Sequence, residues 1–280
     1  MKIGVGLPNG LPGADGALVI DWAQRADDGP YARVATIDRL RYGNHEALMS
    51  LAAAAAVTRR VRLVTSILIS PLRETTTLAK QLATLDVLSH GRLTVGVATG
   101  ARQDDYDVNE TPYAGRGARL TEQLTRMRAI WEDGDIGPAP VQPGGPRIVV
   151  GGLAGAAYAR MAALGDGYIH AGGPPRAFAR AVEEARAAWA EAGRPGEPET
   201  WGMAYFAFGT EVENAGRDYL LDYYAFTGPF ARRIADGLLV TALDMRELMQ
   251  GYAEAGCDHL LLFPAVAGTE QLDRLTGALG

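Results

Sequence analysis

Between Val61 and Gly100 the chain reads VRLVTSILISPLRETTTLAKQLATLDVLSHGRLTVGVATG, and its apolar period changes twice along the way. Val61, Leu63, Thr65, Ile67 and Ile69 alternate with Arg62, Val64, Ser66 and Leu68. Both sets are largely apolar, the pattern of a strand covered on its two faces. Pro71 ends that strand, because proline has no N–H to give a ladder. Leu78, Leu82, Leu85 and Leu88 then mark one stripe of a helix. The threonines at 75 to 77 supply its N-cap, and Gly91 after His90 supplies a left-handed stop. Leu93, Val95 and Val97 begin a second buried strand that closes at Thr99–Gly100. Strand, helix and strand at this spacing form a βαβ unit, which requires parallel strands and a right-handed crossover.

The remainder of the chain alternates in the same way. Strands are expected at 2–7, 33–37, 147–150, 168–171, 201–208 and 259–263. Helices are expected at 17–28, 47–59, 119–133, from about 153 to 164, and at 178–192, 211–224 and 245–255. A polar stretch, RQDDYDVNETPYAG, follows Ala101 and is too long for a mere connector. TGPFARRIADGLLVTA stays unassigned as an irregular segment. With the pair in the βαβ unit there are eight strand candidates, and their alternation with helices implies a parallel sheet. Such a sheet either closes into a barrel or opens into a doubly wound fold. The first β–α turn, LPNG, lacks the G-x-G-x-x-G of the dinucleotide-binding open form. The expectation is therefore a closed (β/α)8 barrel spanning 1–280 as one domain, a length at which such barrels are common.

Charge and cysteine usage exclude several classes. Lysine and arginine number 27 against 33 acids, a net charge of −6 with no basic run, so neither nucleic acid nor an anionic membrane is an expected partner. The single cysteine, Cys257, precludes an internal disulfide and reads as a small buried apolar residue near the last strand. MKIGVGLPNG enters a strand directly, without the apolar stretch of a signal peptide, and no apolar run reaches membrane-spanning length. A cytoplasmic location is expected.

In a barrel of this kind the site lies at the C-terminal ends of the strands. The residues expected there include Asn9, Asp38-Arg39, Ser66-Ile67, Thr99-Gly100, Gly151-Gly152 and His170. The four histidines are scattered, none in H-x-x-x-H spacing, so no metal site is expected. G-x-S-x-G is absent too, which removes the nucleophile elbow of a serine hydrolase. What remains is an apolar cup with backbone amides and a few hydroxyls, suited to a large planar cofactor that carries its own chemistry. Two glycines between strand and helix, Gly151 and Gly152, read by themselves as a tight turn. They also let backbone approach a phosphate at a helix start near Leu153.

Three stretches together, LAKQLATLDVLSHGRLTVGVATG, the R-G-A-R-L-x-E-x-L pattern from Arg116 onwards, and IVVGGLAGAAYARMAALGDGYI, resemble the luciferase-like flavin-dependent oxidoreductases. The resemblance implies a luciferase-like TIM barrel and a reduced flavin-type cofactor, either FMN or coenzyme F420, acting on a small organic substrate. It implies a phosphate site at Gly151, Gly152 and Leu153, and a cis peptide or bulge at Ser66-Ile67 behind the cofactor ring. Thr99, Gly100 and His170 join these as cofactor contacts. Asp38 and Arg39 fall where the family has its polar pair facing substrate and cofactor, with an ion pair at the barrel rim as the alternative. His45 stands as a candidate general base, or as a solvated residue beside an Asn44 helix cap. Two chemistries follow from the resemblance, oxygenation with reduced FMN and hydride transfer with the deazaflavin F420. The apolar LAGA after Gly152 favours F420, because it lacks hydroxyls for an FMN phosphate. Alanine at 101, where F420-dependent sugar-phosphate dehydrogenases carry an acid, argues against that subgroup. A flavin-binding protein without turnover is the alternative function. A homodimer and a separate flavin reductase are the partner expectations.

Overall fold

In a computed structural model that describes residues 1–279, each strand pairs in parallel with the next, and the last returns to the first. The strands are β1 (Lys2–Gly6), β2 (Arg33–Thr36), β3 (Arg62–Ile69), β4 (Leu93–Ala98), β5 (Arg147–Gly151), β6 (Gly167–Ile169), β7 (Glu199–Phe206) and β8 (His259–Pro264). β1 meets β8 from Lys2↔His259 to Val5↔Leu262, which closes the barrel. Closure leaves no edge strand among the described residues, and the open-sheet alternative falls away.

The helices that follow the strands are α1 (Gly16–Asp28), α2 (Ala47–Val57), α3 (Thr75–Leu88), α4 (Gln103–Val108), α5 (Arg116–Asp133) and α6 (Gly155–Leu164). They continue with α7 (Pro175–Glu191), α8 (Glu213–Tyr223), α9 (Phe230–Asp236), α10 (Ala242–Glu254) and α11 (Thr269–Leu279). Trp22, Leu51, Leu82, Leu124, Met161 and Phe178 fill the layer between helices and strands. Among the described residues no helix is long and apolar enough to cross a membrane. Cys257 is buried, its thiol donates to the His259 carbonyl, and burial pushes it up to about 12.

Several expectations shift in detail. The cap of α3 is Glu74, whose carboxylate accepts from the Thr76 and Thr77 amides, in place of the threonines themselves. Helix α6 begins at Gly155, two residues after the expected Leu153, because Ala154 is still extended. The polar stretch after Ala101 contains α4, and the unassigned segment contains a 3-10 turn (Ala225–Thr227) and α9. Helix α11 gave no expectation, although Leu272 and Leu275 bury its inner face.

Two polar residues of the 80–92 segment, Asp86 and Arg92, turn out to be structural. Arg92 is 9% exposed, yet its guanidinium donates to the carbonyls of Ala55, Thr58, Val61 and Ser89 and to the Thr58 hydroxyl. It thereby satisfies the orphan carbonyls at the end of α2 and ties them to the start of β3. Asp86, fully buried, accepts from the Gln142 amide and side chain and pins the proline- and glycine-rich link against α3. Arg92→Met keeps the apolar stem and strands those carbonyls, so it should lower the unfolding free energy by about 3 kcal/mol. Urea titration reads this directly. A loss within the error of the extrapolation would mean that water replaces the guanidinium.

Candidate active site

A break in register shapes the mouth of the barrel. β3 and β4 pair regularly up to Thr65↔Val95 and resume at Leu68↔Val97, so β3 bulges between them. Gly96 sits opposite the bulge, where a Cβ would overlap the Thr65 carbonyl oxygen, and the Thr65 hydroxyl donates to the Gly96 carbonyl at 2.7 Å. The Ser66–Ile67 peptide within the bulge is cis. Both side chains line a cavity of about 180 Å³ at the C-terminal ends of the strands. The buried Ser66 Oγ has no hydrogen-bond partner among the described residues.

Charged groups around this cavity are mostly committed to holding backbone. Asp38 follows β2 and lines the cavity, but its carboxylate accepts from the Ile69 amide at 2.8 Å and from both ends of the Arg73 fork at 2.8 and 3.0 Å. Arg73 extends the chain of contacts to Glu46. Arg39 also lines the cavity, with its guanidinium 3.6 Å from Asp104 and from Asp105 and stacked near Tyr42 and Tyr223. Asp105 is fully buried and accepts from the Leu40 and Arg41 amides, which fixes the turn after β2. Asp38 and Arg39 thus take part in ion pairs, though with Arg73 and with α4 rather than with each other.

Opposite them, Gly151 and Gly152 present backbone to the cavity. Gly152 has φ +134°, and a Cβ there would lie 2.7 Å from that of Ala157, so only glycine fits. Its carbonyl accepts from the Tyr168 hydroxyl at 3.0 Å. His170 lines the cavity beside them, and its Nδ1 has no hydrogen-bond partner among the described residues. Burial pushes its imidazole down to about 4, so the ring is neutral at neutral pH. The far wall carries Tyr205, Tyr223, Tyr224 and Phe226, brought in by β7, the end of α8 and the turn after it. Tyr205 and Tyr224 share a hydrogen bond of 2.9 Å, and burial raises their phenols and that of Tyr223, which therefore stay protonated.

Of the residues singled out from sequence, Asp38, Arg39, Ser66, Ile67, Gly100, Gly151, Gly152 and His170 come together at this cavity. His45, Thr99 and Leu153 do not line it. The His45 Nε2–H donates to the Ala14 carbonyl at 2.6 Å, and the neighbouring cap of α2 is Glu46 in place of Asn44. The Thr99 carbonyl is taken by the Tyr106 hydroxyl, and Leu153 is exposed before α6 begins. Sequence reasoning missed Arg102 as a cavity residue and missed the tyrosine wall. The run DYLLDYYAF reads as a helix face, and only the path of the chain after β7 turns it towards the mouth. Among the described residues no cluster could hold a metal ion. The cavity offers an apolar bed, backbone groups, neutral hydrogen-bonding side chains and the charged Asp38, Arg39 and Arg102.

A family model described as luciferase-like monooxygenase matches residues 1–271. An uncharacterized protein of Mycobacterium tuberculosis is 38% identical over 169 residues, covering 54% of this chain and 58% of that protein. The match thus spans a little over half the length of that relative. In structure, the chain is similar to monooxygenase RslO1 from Streptomyces bottropensis, with TM-score 0.83, 23% identity, and coverage of 100% of this chain and 98% of that one. It is also similar to an F420-dependent secondary alcohol dehydrogenase in complex with an F420-acetone adduct, with TM-score 0.80, 17% identity, and coverage of 99% and 97%. At these identities the likeness to the solved structures is one of fold.

The neutral His170 makes a pH prediction with a defined sign. An unfolded histidine titrates near 6.5, whereas folded His170 takes up its proton only at about 4. Its contribution is present above pH 6.5 and is lost as the pH falls towards 4. Going from pH 7 to pH 5 should remove on the order of 2 kcal/mol through this residue. His259, pushed down to about 3, adds a slope of the same sign. Urea titrations at the two pH values should show a shallower loss in His170→Asn than in the parent. Equal losses in both proteins would count against a neutral, buried imidazole.

Proposed function

We propose, from the premise that this chain belongs to the luciferase-like monooxygenase family, that it is an oxidoreductase whose barrel mouth holds a reduced flavin-type cofactor against a small organic substrate. The observation that carries this reading is the pairing of a backbone-only turn, Gly151-Gly152, with an apolar bed of Ile37, Ile67, Ile169 and Met203 in one cavity. A planar heteroaromatic ring fits such a bed, and the unpartnered Ser66 hydroxyl and His170 ring suit its polar rim. Gly151 and Gly152 would hold the cofactor's phosphate through backbone, aided by the start of α6.

When bound, reduced FMN would supply electrons for oxygen activation, and F420 would supply a hydride. The chain's own part is to bind, orient and exclude water. Asp38 and Arg73 fix the bulged end of β3 on which the ring would rest. Neutral His170 and the protonated Tyr205 and Tyr224 offer hydrogen bonds without a change of charge at neutral pH. The tyrosine wall narrows the opening and keeps solvent from the bed.

Of the two cofactors we favour F420, because Leu153-Ala154-Gly155-Ala156 offers an FMN phosphate no side-chain hydroxyl. A binding protein without turnover is the second reading, favoured by Ala101 in the cavity wall, where an acid would serve sugar-phosphate oxidation. Titration of the purified protein with FMN, reduced FMN and F420, followed by turnover assays with the reduced forms, tests each level. F420 should bind in the micromolar range or tighter. Binding of FMN alone would reverse the choice of cofactor. Binding without turnover across a panel of alcohols, aldehydes and ketones would favour the second reading, and no binding of any of the three would sink the proposal.

A further inference from the structure

Arg102 is 8% exposed and lines the cavity just beyond β4. Its buried Nη2 has no hydrogen-bond partner among the described residues. The acids that follow it in sequence are engaged elsewhere. Asp104 and Asp105 both face Arg39 at 3.6 Å, and one oxygen of Asp105 is further occupied by the Leu40 and Arg41 amides. Arg102 is held instead by aromatic rings, its guanidinium 4.0 Å over Phe226 and 4.8 Å over Tyr223. Stacking uses the flat faces of a guanidinium and leaves its edge N–H groups for a planar acceptor. The charges of Asp105 and Asp104 act on Arg102 from a distance, but neither gives its Nη2 an acceptor, and a buried N–H without one is costly, so the arrangement is complete only with an acceptor beside that edge.

We propose that Arg102 anchors an anionic group, a carboxylate or an acid of similar shape, on the organic substrate. This rests on the reading of the cavity as an oxidoreductase site and names the substrate class within it. Two observations point to the substrate in preference to the cofactor. The cofactor's phosphate already has a backbone site at Gly151-Gly152, on a different strand end from Arg102. The rings that hold Arg102 belong to the tyrosine wall over the mouth, where a substrate would enter. That wall also dictates the rest of the molecule. Beside Tyr205 and Tyr224, the body of the acid should be apolar or aromatic.

Benzoate and benzyl alcohol share a ring and differ in charge, which makes them the probes of choice. Calorimetric titrations would be run on the cofactor-free protein and on protein saturated with whichever cofactor binds. Parent protein should bind benzoate at least about tenfold more tightly than benzyl alcohol, the scale of one charge-assisted hydrogen-bonded pair. Arg102→Gln should abolish that preference while leaving the affinity for benzyl alcohol and for the cofactor unchanged. Arg102→Lys should keep part of it. Equal affinities in the parent, no detectable binding of benzoate, or an undiminished preference in Arg102→Gln would each overturn the proposal. So would a tenfold loss of cofactor affinity in Arg102→Gln with the preference intact, since the anion would then be the cofactor's own. If no cofactor binds at all, the oxidoreductase reading fails, but the benzoate preference of the cofactor-free protein still decides the role of Arg102.

Discussion

The meeting of the Thr65 carbonyl with Gly96 sets the shape of the barrel mouth. A regular parallel ladder would carry β3 straight past the cavity, with alternate side chains to core and helices. Any side chain at 96 would collide with the Thr65 carbonyl, so the glycine is what lets β3 break register there. Ser66 and Ile67 then face the cavity together, and the strand resumes at Leu68. Asp38 stabilises the displaced end by accepting the Ile69 amide, and Arg73 neutralises Asp38. The charges nearest the mouth on this side serve the backbone before they serve any ligand.

The same division of labour explains how much could be read in advance. The alternation of strand and helix and the strand ends follow from apolar periodicity, because a strand buried on both faces leaves a continuous apolar run, while the expectation of closure rests on the absence of a dinucleotide-binding turn. Gly151-Gly152 was legible as a turn from its two glycines, whereas the cis peptide or bulge at Ser66-Ile67 came from the family resemblance, because its residues by themselves continue a strand. The roles of Arg92 and Asp86 were not legible. Each binds groups dozens of residues away, and an Arg or Asp in a helix-to-strand segment reads like a surface residue until its partners are placed. His45, weighed as a general base or as a solvated residue beside an Asn44 cap, has its ring against the Ala14 carbonyl, a partner no local spacing announces.

Burial decides protonation at His170 and along the tyrosine wall. His170 and the phenols of Tyr205, Tyr223 and Tyr224 lie where the charged form is disfavoured, so they enter any reaction neutral. Arg102 is the counterexample, a group whose basicity is lowered by burial yet which stays far from neutrality. With Asp38 and Arg39 taken up in ion pairs, the proposed role of Arg102 would make the site select by shape and by a single charge. In the proposed oxidoreductase reading, the redox step would need little from side-chain acid–base chemistry.

The tyrosine wall has a further property in the way it is attached. The chain leaves the barrel after β7, builds α8, the 3-10 turn and α9, and returns to β7 itself. Leu239 pairs with the strand it left, donating to the Tyr205 carbonyl and accepting from the Ala207 amide, and the Gly209 amide donates to the Val240 carbonyl. The two ends of the excursion are thus stapled within one rung of each other, and the barrel's register is fixed below that staple. Such a segment is in effect an interchangeable cassette. Its length and aromatic content can be rewritten without moving the bulge, the glycine pair or the strand closure, so one barrel floor can be fitted with different ceilings.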